Sequence, residues 1–138
     1  MVLTLQDVKA LLEQQWRCQY KDSRKNDVLM ILYNLQIDSN WNYIGREAYV
    51  VTERGAKSTV TVPIKGKVVF LPKKNTVKLT FEEGDRVEGQ LLADATWCPC
   101  SGAFYLYRDA DNPGKFFLEG DVDCRCGFMY DRQYLIFR

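Results

Sequence analysis

Up to Trp16 the apolar positions recur with a helical period. Leu5, Val8, Leu11, Leu12 and Trp16 fall on one stripe, and Thr4 with Asp7 three residues later has the spacing of a capping box, with Leu3 placed to act as a staple. The pattern predicts an amphipathic helix over roughly residues 5 to 18. Its polar face mixes Asp7, Lys9 and Glu13, so the helix is expected to pack on a sheet as a lid or plug rather than lie on a membrane surface.

Beyond the charged stretch KDSRKND the period falls to two. Strands are predicted at 28–37, 46–53, 58–64, 67–71, 76–81, 86–92, 102–108, 115–122 and 133–138. Turn chemistry separates them at Ser39-Asn40, Arg54-Gly55, Lys65-Gly66, Pro72 with Asn75, and Gly84-Asp85. Short strands at this spacing belong to a barrel or sandwich rather than to alternating strand–helix units. The expectation is a single domain over 1–138, all-β, with an up-and-down antiparallel barrel of about eight or nine strands over 28–138 behind one N-terminal α-helix.

One hairpin has a readable register. Asp111-Asn112-Pro113-Gly114 is a strong turn signal, and CxC units stand on either side of it, Cys98-Pro99-Cys100 and Cys124-Arg125-Cys126. In an antiparallel pair the numbers of facing residues share a constant sum, and Cys98 with Cys126 and Cys100 with Cys124 both give 224. The same register sets Leu106 against Leu118, Asp109 against Lys115, and Phe104 against Gly120, where a ring can cover a glycine. Side-chain alternation then gathers the even positions, including Phe104, Leu106, Phe116, Leu118 and all four cysteines, on one largely apolar face. Three chemistries compete for that thiol cluster. Cys98, Cys100, Cys124 and Cys126 can hold zinc as four thiolates, although one intervening residue is shorter than the usual ligand spacing; they can form disulfides; or they can fill the core as buried thiols. Cys18 is expected to pack from the helix.

Composition narrows the function classes. Nineteen basic against eighteen acidic residues leave a net charge of +1, so no basic field points to nucleic acid, and lysines 65 to 78 are read as edge protection on hairpins. The N-terminal segment has neither the apolar run of a membrane span nor the layout of a signal peptide, which suggests a cytoplasmic, reducing setting. Histidine is absent, removing the usual general base at neutral pH and the commonest metal ligand, and no phosphate-binding loop, nucleophile elbow, HExxH or EF-hand loop occurs. A non-enzyme is therefore expected ahead of an enzyme.

An aromatic-rich interior is the character of a small-ligand pocket, and the candidate lining is Trp41, Tyr43, Phe104, Leu106, Phe116 and Leu118; a filled core explains the same rings. Arg108 and Arg132 could pair a ligand carboxylate, but the favoured reading of each is a surface arginine with no distinctive role. A helix followed by eight or nine meandering strands, ending in the strand YLIFR, resembles the calycin-like barrels, which include lipocalins, intracellular fatty-acid-binding proteins and the phycobilin lyases. Trp41-Asn42-Tyr43 stands later than the lipocalin GxW motif and lacks its glycine. The resemblance implies a non-catalytic protein that holds a small apolar ligand or presents its surface to a protein partner. It also admits a bilin lyase or chaperone in which an acidic residue and an arginine orient a tetrapyrrole. A structural or thiol-redox protein built around the cysteines, with zinc as the candidate cofactor, is the remaining alternative. Neither nucleic acid nor membrane is an expected partner.

Overall fold

The chain enters through α1 (Leu5–Leu12), whose start is closed as the sequence predicts: the Thr4 hydroxyl accepts from the Asp7 amide at 3.1 Å while the Asp7 carboxylate accepts from the Thr4 amide at 3.0 Å. The computed structural model describes residues 3–22, 27–53, 55–72, 76–84, 86–89, 99–123 and 132–138. The helix is shorter than the expected 5–18. Glu13 caps it, and the chain then extends, so that Trp16 and Cys18 are buried while Arg17 and Gln19 are exposed. Trp16 satisfies both periods, ending the helical stripe and opening a strand alternation, and tertiary packing favours the strand. Its indole donates to the Leu12 carbonyl at 3.2 Å, satisfying a helix-terminal acceptor, and Cys18 lies on a strand rather than on the helix. The Glu13 carboxylate accepts from the Ile37 amide at 3.0 Å and ties the end of the helix to the sheet.

Among the described residues nine strands follow: β1 (Trp16–Asp22), β2 (Asp27–Ile37), β3 (Asn42–Glu53), β4 (Ala56–Leu71), β5 (Thr76–Glu83), β6 (Glu88–Gly89), β7 (Ser101–Arg108), β8 (Phe116–Asp123) and β9 (Arg132–Phe137). All pairings are antiparallel in the order β1-β2-β3-β4-β5-β7-β8-β9, with β6 joining β4 at Val60 and Thr61. Two hydrogen bonds between Arg17 and Arg138, of 3.1 and 2.9 Å, bring the first strand to the last. The result is a nearly closed antiparallel barrel with one short N-terminal helix, and it begins at residue 16 rather than 28.

Two sequence expectations are corrected here. The strands expected at 58–64 and 67–71 are one strand, and Lys65-Gly66 is not a turn: both residues stay paired with β3, as Ile44↔Lys65 and Tyr43↔Gly66. The glycine serves a close approach instead, since a Cβ at Gly66 would stand 2.6 Å from the Tyr43 ring and 1.9 Å from the Thr80 carbonyl oxygen. Of the strand expected at 86–92, only Glu88 and Gly89 are strand among the described residues, and positions 90–92 lie outside them.

The β7–β8 hairpin has the register read from the sequence: Ser101↔Asp123, Phe104↔Gly120, Leu106↔Leu118 and Arg108↔Phe116. Asp109 and Lys115 close it through the Asp109 amide and the Lys115 carbonyl at 2.9 Å. The inward residues build an aromatic core. Phe81 stacks on Phe104 at 5.2 Å between centroids, Phe104 meets Phe137 edge-on at 5.2 Å, and Tyr33 tilts against Phe137 at 4.5 Å. Among the described residues no helix is long and apolar enough to cross a membrane.

Candidate functional site

The six expected lining residues separate into three places. Tyr43, Phe104 and Leu118 face the barrel axis together with Tyr33, Phe81 and Leu79, and the void among them is about 10 Å³, room for a water molecule at most. At this level the interior is core. Trp41 sits in the β2–β3 turn with φ of 62°, where the Asp38 carboxylate accepts from the Asn40 and Asn42 amides, and its half-buried ring meets Phe70 edge-on at 4.9 Å. Leu106 and Phe116 reach a larger space beneath α1.

That space is a cleft of about 390 Å³ between the helix and the adjacent ends of β4, β5, β7 and β8. Leu3, Leu5 and Val8 form its helical wall, and Phe70, Val77, Leu106 and Phe116 form the barrel wall. Leu5 is 59% exposed, a large apolar side chain left at the rim. Arg108 also lines the cleft, its guanidinium 5.4 Å from the centroid of the Phe116 ring. An apolar trough with a cation at one side suits a molecule with a hydrocarbon body and an anionic end.

Toward the end of the barrel away from α1, two acids are buried. Glu47 is 1% exposed and Glu83 6%, and they are the buried charged side chains among the described residues. Both carboxylate oxygens of Glu83 accept hydrogen bonds, from the Tyr49 hydroxyl at 2.5 Å and from the Cys100 amide at 2.7 Å. Glu47 meets the Glu83 carboxyl and the hydroxyls of Tyr33 and Tyr49, yet its Oε1 has no hydrogen-bond partner among the described residues. Burial, and then the neighbouring Glu83 carboxyl, push Glu47 well above the usual carboxylate range. Burial likewise pushes the Tyr33, Tyr43 and Tyr49 hydroxyls upward. This pair was not among the residues singled out from the sequence. The signal was phase: Glu47 alternates with inward Tyr43 and Tyr49, and Glu83 with inward Leu79 and Phe81, so each acid stands where the pattern asks for an apolar residue.

Of the four cysteines expected to gather, Cys100 is buried and disulfide-bonded, and Cys98, Cys124 and Cys126 lie outside the described residues. A disulfide sulfur is not a thiolate ligand, so Cys100 in this form is closed to zinc. Among the described residues no three histidine, cysteine or acidic side chains converge as a metal site. Cys18 is a free, buried thiol whose pKa burial raises. The Arg132 side chain is outside the described set, and Arg108 is the arginine that reaches the cleft.

The fold and its cavities define a nearly closed antiparallel barrel consistent with a calycin-like architecture. Comparison with protein-family models, with curated proteins and with solved structures gives no match.

Proposed function

We propose that this protein is a non-catalytic binding protein of lipocalin-like type that takes a small amphipathic carboxylate in the cleft beneath α1. The observation that carries the reading is the combination of about 390 Å³ of apolar trough with Arg108 on its wall. That volume lies within the range of small-molecule sites, and one guanidinium in a lining that is apolar apart from Thr76 fixes orientation by pairing with a carboxylate. The hydrocarbon body lies against Val77, Leu106 and Phe116 and is covered by Leu5 and Val8 of the helix. The site is therefore at the helical end of the barrel and not on its axis, where the packed rings leave about 10 Å³.

The test compares decanoate with decanol by calorimetry and by amide chemical shifts. Decanoate binds saturably and shifts α1 and the ends of β5, β7 and β8, while decanol binds more weakly. Replacing Arg108 with Gln weakens decanoate by roughly tenfold or more, the worth of a charged hydrogen bond, and leaves decanol unchanged. Val77→Trp fills the cleft and abolishes both. Absence of saturable binding to the wild-type protein, or binding that survives Val77→Trp, overturns the reading.

A further inference from the structure

The two buried acids lie on strands that are not neighbours. Glu47 of β3 faces Val62 and Glu83 of β5 faces Ile64, so β4 runs between them and the carboxyl groups meet inside the barrel, across its inner surface. An ionised Glu47 there would be a buried anion beside a second carboxyl, with one oxygen lacking any hydrogen bond. No lysine or arginine among the described residues is buried with it. A neutral Glu47 removes most of that cost, because an orphaned carbonyl oxygen is far cheaper to bury than an orphaned charge. Both Glu83 oxygens accept hydrogen bonds, from Tyr49 and Cys100, and lone pairs remain for a third donor. The titratable groups around the pair among the described residues are Tyr33 of β2, Tyr43 and Tyr49 of β3 and Cys18 of β1, all neutral when protonated.

We propose that Glu47 and Glu83 form a proton-dependent latch: Glu47 donates its carboxyl proton to Glu83, the shared proton holds β3 to β5 through the barrel interior, and its loss as pH rises loosens the end of the barrel away from α1. The step is a simple ionisation in which the proton passes to solvent and leaves two adjacent carboxylates that must separate or admit water. Because the folded state holds the proton more tightly than the unfolded chain does, stability is greatest below the ordinary glutamate range and falls as pH rises toward the elevated value of Glu47. One proton corresponds to an unfolding constant that increases up to about tenfold per pH unit within that window. Neither Glu47 nor Glu83 lines the cleft.

The deciding experiment follows chemical unfolding and amide exchange from mildly acidic to alkaline pH in the wild-type chain and in Glu47→Gln. The amide of glutamine still donates to Glu83 but cannot ionise. The wild type loses stability as pH rises, with exchange quickening in β3 and β5, whereas Glu47→Gln gives a flatter profile. Parallel profiles, or a wild-type profile with no decline, overturn the latch. An infrared measurement on the wild type, carboxyl-labelled at glutamate, covers the case in which Glu47→Gln does not fold. A protonated-carboxyl band persisting at neutral pH and vanishing on alkalinisation supports the latch, and its absence at neutral pH overturns it.

Discussion

Phe104 stands directly across the β7–β8 ladder from Gly120, where the backbones approach so closely that a Cβ on Gly120 would lie 2.9 Å from the Phe104 Cα. The arrangement recurs around the barrel, with Phe81 opposite Gly102 between β5 and β7 and Tyr43 opposite Gly66 between β3 and β4. Pairing a large inward ring with a glycine lets a narrow barrel curve while its axis fills with aromatic carbon. It also explains why the aromatic content serves the core rather than a central pocket.

Gly120→Ala tests this directly. The added methyl would lie 2.0 Å from the Ala103 carbonyl oxygen and 2.9 Å from the Phe104 Cα, both backbone atoms that cannot swing aside. A destabilisation of about 1–3 kcal/mol, the usual cost of overpacking, is expected in urea unfolding. Phe104→Ala removes the ring from the other side of the pair and costs about 3–5 kcal/mol by leaving a cavity. A neutral Gly120→Ala would show that the strands separate there without penalty.

Tyr43 supplies a second measurable contact. Its hydroxyl donates to the Thr80 carbonyl at 2.6 Å, beside the point where the Lys67 amide bonds the Thr80 hydroxyl instead of a backbone acceptor. The phenol and the threonine therefore stitch the β4–β5 seam where the regular ladder is interrupted between Lys65↔Glu82 and Val68↔Leu79. Tyr43→Phe preserves the ring over Gly66 and removes only the donor. The expected loss is about 1 kcal/mol, the net worth of a part-buried hydrogen bond, with faster amide exchange local to Gly66 and Thr80.

The barrel class, most of its strands and the β7–β8 register were legible in the sequence because each rests on local signals: alternation, turn residues and a constant sum of facing positions. What misled was ambiguity of the same local kind. Trp16 fits a helical stripe and a strand alternation equally, and Lys65-Gly66 has turn composition although its glycine is needed for the Tyr43 ring. The grouping of Tyr43, Phe104 and Leu118 with Leu106 and Phe116 as one lining was also too coarse. Which inward ring fills the axis and which borders a cleft depends on where α1 docks, and that is set by contacts such as Glu13 with the Ile37 amide, far apart in sequence. The Glu47–Glu83 pair is non-local in the same way, visible along the chain only as two acids in the phase of apolar neighbours.

The thiols should divide by chemistry. Cys18 is buried on β1 with its pKa raised by burial, so little thiolate forms and an alkylating reagent finds no access in the folded state. Cys100 carries a disulfide and offers no thiol. Peptide mass mapping after alkylation should show Cys18 unmodified in native protein and labelled once denaturant is added without reductant, and Cys100 labelled only when denaturant and reductant are combined. Rapid native labelling of Cys18 would mean that β1 opens readily next to the β9 seam.

The N-cap of α1 links the fold to the proposed binding site. Thr4 and Asp7 exchange hydrogen bonds that fix the first turn, and the helix they start carries Leu5 and Val8 into the cleft wall. Thr4→Ala removes the acceptor for the Asp7 amide and is expected to cost about 1 kcal/mol. The helix is short and contributes one wall of the cleft, so fraying should appear as weaker decanoate binding while the β-sheet signal in circular dichroism is kept. Acid should act on the same contact. The hydrogen bonds from Thr4 hold Asp7 below the usual aspartate value, so their stabilisation is present above that value and is lost as pH falls through the lowered one. In Thr4→Ala this acid-dependent component should diminish, because the partner that favours the Asp7 carboxylate has been weakened. A helix whose amide exchange is identical in wild type and variant at both neutral and acid pH would mean that docking of Val8 and Leu12 into the core, rather than the capping box, holds α1 in place.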